Sequence, residues 1–197
     1  MLKKIINEGY SLHWKKPYEG VRPLPKNAFS AEVNHVIMIA MILKQYKQGR
    51  LIVLDAQKVA DHVPAFAFSP YGCVPKANKP LTETCRPIHN QGAPIGRSIN
   101  EGLDTTLRPD AIWPGTSHIA DRILTAATLY GANTLKAFTT DITDACLQVG
   151  LEARDVQVNG GILPRSSIAT LATSCIFGDC ESPAAFRILN CVPHIHC

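Results

Sequence analysis

Two carboxylates stand at the end of a stretch with the composition of a core strand. Ala137-Phe138-Thr139-Thr140 carries the β-branched and aromatic bias of strands and runs directly into Asp141, with Asp144 three residues later. Strand interiors are depleted in Asp, and no Lys or Arg lies between Phe138 and Arg154 to neutralise this pair. A carboxylate at the C-terminal edge of a strand, followed by the main-chain carbonyl of Ile142, suits a hard divalent cation such as Mg²⁺. Asp also caps the bend after a strand. Residue types alone leave both readings open.

The other groups that could do chemistry are weaker candidates. Cys191, His194, His196 and Cys197 in the tail "CVPHIHC" are all metal-competent. Zinc ligands are usually paired with two to four residues between them, and His194 and His196 are too close for that. The tail reads as the interrupted end of a helix. No GxSxG or GxxxxGK[ST] pattern occurs, so hydrolase and P-loop chemistry have no support.

These residues need elements to position them. A chain of 197 residues with 46% hydrophobic and 18% charged residues is ordinary globular material for one sizeable domain, or one and a half. Its formal charge of +4 is compatible with a polyanionic partner without requiring one. Seven cysteines form no CxxC pair, and "MLKKIINEGY" lacks the apolar run of a signal peptide. The expected setting is reducing and intracellular, cytoplasm or nucleus. The longest apolar run, Val36–Leu43, is too short to span a bilayer, so no membrane partner is expected.

Residues 1–30 mix Lys, Pro and aromatics and read as a basic, extended, loosely held arm. Ser30 is the expected N-cap of a helix through about Gln48, stopped by Gly49. "RLIVLDA" reads as a strand. "AFAFSPYGCVPKANKP" and "ETCRPIHNQ" read as two strands joined by a polar turn. Residues 90–116 are loop-rich, and a helix is expected from Ser117 to Tyr130 with Gly131 as its stop. Then come the strand ending at Asp141, a polar bend, a hairpin around Asn159-Gly160-Gly161, the strand "IATLATSCIF", and the helix "SPAAFRILN". Strands and helices mix without βαβ alternation, which predicts an α+β fold.

The order of four motifs resembles the fingers and palm of retroelement reverse transcriptases. "SPYGCVPKANKPLTETCRPIHN", "GRSINEG", "FTTDITDACLQV" and "FGDCESPAAF" follow one another at family-like spacing. The resemblance covers about residues 40–197. It implies a right-hand fingers and palm domain over 31–197, mostly antiparallel sheet packed on helices, and truncated. By the same resemblance Asp141 corresponds to the first catalytic aspartate, which binds the metal ions, Mg²⁺ or Mn²⁺. The carbonyl of Ile142 would complete its ligand set. Asp144 corresponds to an acid that supports the bend. Lys76, Lys79 and Arg86 fall on the fingers hairpin, where a lysine and the arginine grip the phosphates of the incoming nucleotide. An Arg fork suits bidentate phosphate contacts and Lys acts as a point charge. Without the motif order, the same three residues are simply a solvated hairpin tip.

Ala145 and Cys146 correspond to the backbone and wall facing the nucleotide sugar. Phe177-Gly178 corresponds to an apolar-Gly pair beside nucleotide and template. Pro183 and Phe186 read as a helix start and a core residue. The chain departs from the family in two places. Cys146 stands where the family has Phe or Tyr, and the Tyr-x-Asp-Asp hairpin with the remaining catalytic carboxylates is missing, as are thumb and RNase H segments. The expected function is therefore a fragment of an RNA-directed DNA polymerase of a retrotransposon-like element, inactive as this isolated chain. Its partners would be an RNA template, a DNA primer and deoxynucleoside triphosphates. The alternatives are a non-catalytic nucleic-acid-binding remnant and a structural subdomain of a polyprotein.

Overall fold

The computed structural model describes residues 2–16, 24–62, 66–109, 115–136, 142 and 144–190. Residues 1–109 with 145–197 form one compact unit, and residues 110–144 a second.

The larger unit is built around two antiparallel sheets. β1 (Leu51–Asp55) pairs with β5 (Ile168–Ala172), Leu51 opposite Ala172, and β4 (Gly160–Ile162) pairs with the other edge of β5. β5 is therefore central, and Ala169, Thr170, Leu171 and Ala172 are all buried, as expected of a strand covered on both faces. β2 (Tyr71–Pro75) and β3 (Cys85–His89) form a separate hairpin with Cys73 opposite Pro87. Helices α2 (Phe29–Val33) and α3 (His35–Lys47) bury Ala31, Met38 and Ile42 against Leu51, Tyr71, Cys73 and Cys85. α4 (Ala56–His62) lays Ala56 and Val59 on Phe68, Ala169 and Leu171. A third cluster joins Ile5, Tyr10 and Leu12 to Ile99, Leu103, Val149, Leu151, Cys175 and Ala185, drawing in the short helices α1 (Leu2–Glu8), α5 (Ile99–Gly102) and α7 (Ala153–Val156) and the helix α8 (Ser182–Asn190). The mixed α+β class expected from the sequence is what the chain adopts.

In the second unit, α6 (Thr116–Tyr130) ends where Gly131 adopts φ 86°, a left-handed stop that glycine takes without steric cost. A 3₁₀ turn over Ala132–Thr134 follows, and the Thr134 hydroxyl donates to the carbonyls of Tyr130 and Gly131. The strand expected over Ala137–Thr140 lies outside the described residues, as does the tail from Cys191 to Cys197.

Three local expectations are corrected. Residues 2–16 are not an extended, loose arm: Leu2–Glu8 is helical, and Tyr10 and Leu12 are buried. Tyr10 bridges in parallel to Leu151 and Trp14 bridges antiparallel to Leu103. An alternation only three positions long, Tyr10-x-Leu12-x-Trp14, is too short to signal a strand. Ser30 does not cap its helix. The helix starts two residues earlier, at Phe29, with Ala28 at the cap, and the Ser30 hydroxyl instead accepts from the Cys73 amide at 3.1 Å and ties helix to hairpin. Asn159-Gly160-Gly161 is not a hairpin turn. Gly160 and Gly161 lie inside β4, where the rings of Phe68 and Tyr71 occupy the space a Cβ would need. The turn falls instead over 164–167, with Arg165 at φ 56° and the Leu163 amide donating to Ile168 at 2.9 Å. Sequence pattern alone does not separate a close-packing glycine from a turn glycine.

Candidate nucleotide and nucleic-acid interface

The β2–β3 hairpin carries three of the residues singled out in the sequence. Its turn is closed by the Lys79 amide donating to the Lys76 carbonyl at 3.2 Å, with Asn78 at φ 59°. This is a left-handed position that Asn tolerates better than most residues. Lys76 and Lys79 are both exposed. Arg86, directly opposite Val74 in the ladder, places its guanidinium 5.3 Å from the centre of the Phe177 ring. A cation over an aromatic face is held there by the ring quadrupole while its N–H edges remain free to donate.

Phe177 and Gly178 are where the distant segments meet. The His89 amide donates to the Phe177 carbonyl at 3.1 Å. The Asn100 side chain donates to the Gly178 carbonyl at 2.9 Å, and its oxygen accepts from the Cys180 amide at 3.1 Å. Gly178 has φ 120°, and a Cβ there would overlap the carbonyl oxygen of His89. Only glycine fits so close a backbone approach. Asn100 is itself held by α5, whose Ser98 and Glu101 form a reciprocal capping box. The backbone amides of Gly96 and Ser98 hold the Glu101 carboxyl below the usual carboxylate range.

Behind this surface the polar groups are buried. His89 packs edge-on to Tyr71 with ring centres 4.3 Å apart, and burial pushes its pKa down to about 4. The ring is therefore neutral at physiological pH. Gln91 donates to Asn159, and Asn159 donates to the Ser174 carbonyl at 3.2 Å. A groove of about 350 Å³ opens beside this region, walled by Leu24, Pro25, Phe68 and Pro94 together with the cations Lys26 and Arg97.

Ala145 and Cys146 open a 3₁₀ turn over Ala145–Gln148. Cys146 is half-buried against the cluster containing Cys175 and Ala185, and burial together with the nearby Asp179 raises its thiol pKa. Asp144, just before it, has φ 55°, the conformation of a bend residue. Asp141 lies outside the described residues. Ile142 is 46% exposed and belongs to the 110–144 unit, so it is placed with that unit alone. Among the described residues no three His, Cys, Asp or Glu side chains are grouped to hold a metal ion, so no described donor set fits the divalent ion that the resemblance implies.

One feature of the site was not anticipated from sequence. Asp155, Asp179 and Glu181 are all buried. Glu181 accepts from the Tyr10 hydroxyl at 2.9 Å and pairs with His13 Nδ1 at 2.8 Å. Asp155 accepts from the Leu12 amide at 2.8 Å and from the Trp14 indole at 3.0 Å. The available signal was acids inside otherwise apolar surroundings, as in "IFGDCESPAAF". Buried carboxylates need partners, and the N-terminal segment supplies them for Asp155 and Glu181.

No family model matches the chain, and no curated protein matches it. Among the described residues no helix is long and apolar enough to cross a membrane.

Proposed function

We propose that this chain is a fingers and palm portion of an RNA-directed DNA polymerase of a retrotransposon-like element, and that in isolation it binds nucleic acid without extending a primer. The observation carrying this reading is the convergence of separated motifs on one point. Arg86 and His89 from the hairpin motif and Asn100 from "GRSINEG" all contact Phe177 or Gly178 of "FGDC". Their order in sequence suggested a shared site, and their contacts give it a surface.

On this reading the Phe177 ring fixes Arg86 from one side, and the free edge of the guanidinium takes two phosphate oxygens. Lys76 and Lys79 add point charges along the backbone of the nucleic acid. The groove beside Lys26 and Arg97 combines apolar walls with cations, which suits a stacked base and its phosphate. By the resemblance, Phe177-Gly178 lies beside nucleotide and template, and Ala145-Cys146 faces the nucleotide sugar. The proposed cofactor of the complete enzyme is Mg²⁺ or Mn²⁺, with Asp141 as its ligand from this chain. No Asp-Asp pair occurs in these 197 residues, which favours a non-catalytic, nucleic-acid-binding role for the chain alone.

Fluorescence anisotropy with a labelled RNA–DNA primer–template across a salt series tests the binding. Each lost phosphate contact lowers the log–log salt slope by roughly 0.7–0.9, so Ala at Lys76, Lys79 and Arg86 together should lower it by about two units. An unchanged slope in the triple variant moves the interface elsewhere. Primer extension with Mg²⁺ or Mn²⁺ tests the chemistry. Extension that vanishes in Asp141→Ala would overturn the inactivity of the isolated chain.

A further inference from the structure

Asn100 joins two separate pieces of the Phe177–Gly178 surface. Its backbone belongs to α5, a helix of four residues, and its side chain bonds the Gly178 carbonyl and the Cys180 amide. Neutral hydrogen bonds contribute little each. A short helix and a loop hold such a contact only when something behind them fixes both.

The N-terminal segment does so. Three residues past Gly178, the loop buries Glu181. Glu181 accepts from the Tyr10 hydroxyl at 2.9 Å and the His13 amide at 3.2 Å, and it pairs with His13 Nδ1 at 2.8 Å. Four residues past Asn100, the Asp104 amide donates to the His13 carbonyl at 2.6 Å. The contacts with α5 continue along the same stretch. Trp14 bridges antiparallel to Leu103, and the Lys15 amide donates to the Gly102 carbonyl at 3.0 Å. The Lys15 ammonium donates to the Glu101 carbonyl at 2.8 Å. A Cβ on Gly102 would stand 3.2 Å from the Trp14 ring, so the segment packs closely on the helix end. Asp155 anchors the stretch by accepting from the Leu12 amide and the Trp14 indole.

His13 is where the two sides meet. Its ring and amide bond the loop that carries Gly178, and its carbonyl bonds the chain leaving α5. The span from α5 to the loop is therefore closed twice, by Asn100 at the surface and by His13 behind it. Segments that share a closure open together when it is removed.

We infer that His13 is a positioning residue for the candidate interface. It clamps the Gly178 loop to the end of α5, and so sets the Asn100–Gly178 contact and, through it, the affinity for nucleic acid. The effect on affinity rests on the proposed function; the clamp does not.

Hydrogen exchange of single amides in the full chain, without nucleic acid, tests the clamp. In His13→Ala the Cys180 amide, which donates to Asn100, should exchange about tenfold faster than in the parent. The Ala172 amide in β5, which donates to the Asn159 carbonyl, should keep its parent rate. His13→Asn places an amide nitrogen as many bonds from the backbone as Nδ1, and should restore the parent rate at Cys180. Anisotropy with the labelled primer–template should show His13→Ala binding about fivefold more weakly and His13→Asn binding like the parent. The salt slope should not change, because no phosphate contact is removed. A parent-like Cys180 rate in His13→Ala, or acceleration shared equally by Ala172, would overturn the inference. Parent-like affinity in a His13→Ala chain whose Cys180 amide exchanges faster would overturn it too. A parent chain that binds no primer–template overturns the proposed function instead, and the exchange rates still decide the clamp.

Discussion

Asp179 is buried with one carboxyl oxygen accepting from the Glu181 amide at 2.8 Å and the other without a hydrogen-bond partner among the described residues. Burial is the main reason its pKa rises to about 6, the Glu181 carboxylate adds to the rise, and the amide opposes it. An ordinary Asp titrates near 3.9, so the folded state favours the protonated form. The stabilisation from that proton is complete below about pH 4 and is lost as pH climbs through 6. Asp179→Asn keeps the acceptor oxygen and removes the charge. It should be more stable than the parent at pH 8 by about 1–3 kcal/mol, at roughly 1.4 kcal/mol for each pKa unit. The advantage should close near pH 3.5. Thermal melts of both proteins at the two pH values measure it. An Asn variant equally or less stable at pH 8 would remove Asp179 as a source of strain.

At the scale of elements, the N-terminal segment is held by hydrogen bonds into buried acids more than by its own helix. Glu181 receives the Tyr10 hydroxyl, the His13 amide and His13 Nδ1. Removing it leaves the buried Tyr10 hydroxyl and two part-buried His13 groups unpaired, at up to about 1–3 kcal/mol each. Glu181→Ala should therefore lower stability by about 2–4 kcal/mol and speed tryptic cleavage after Lys15. Cleavage and melting unchanged from the parent would show that apolar burial alone holds the segment. This element also marks how far the sequence could be read. β1, the β2–β3 hairpin, α6 and α8 were legible because propensity, turn residues and stop signals agreed along each stretch. The N-terminal docking was not, because Tyr10, His13 and Trp14 find their partners on segments more than a hundred residues away. The carboxylates that receive them look like surface acids in sequence. At the candidate interface, the cations of the hairpin were legible as residue types. The ring under Arg86 and the glycine against His89 needed the fold.

At the scale of the molecule, the larger unit is closed by its most distant parts. β1 pairs with β5, Leu51 opposite Ala172, and Tyr10 meets Glu181 across a sequence separation of 171. Folds dominated by such non-local pairings form slowly, because loop closure comes before its reward. During synthesis, at about 5–20 residues per second, the N-terminal segment waits roughly ten to thirty seconds for Glu181 to be made. Ribosome-stalled chains stopped ahead of Asp155 should be cut readily by trypsin after Lys15. Chains released past Asn190 should be protected. Equal protection in both would mean the segment finds another partner first. Ile5, Tyr10, Leu12 and Trp14 are made long before the segments that bury them, so their apolar surface stays uncovered until those segments follow. A holding chaperone at the tunnel mouth should raise the yield of folded chain more than any change within the sheet.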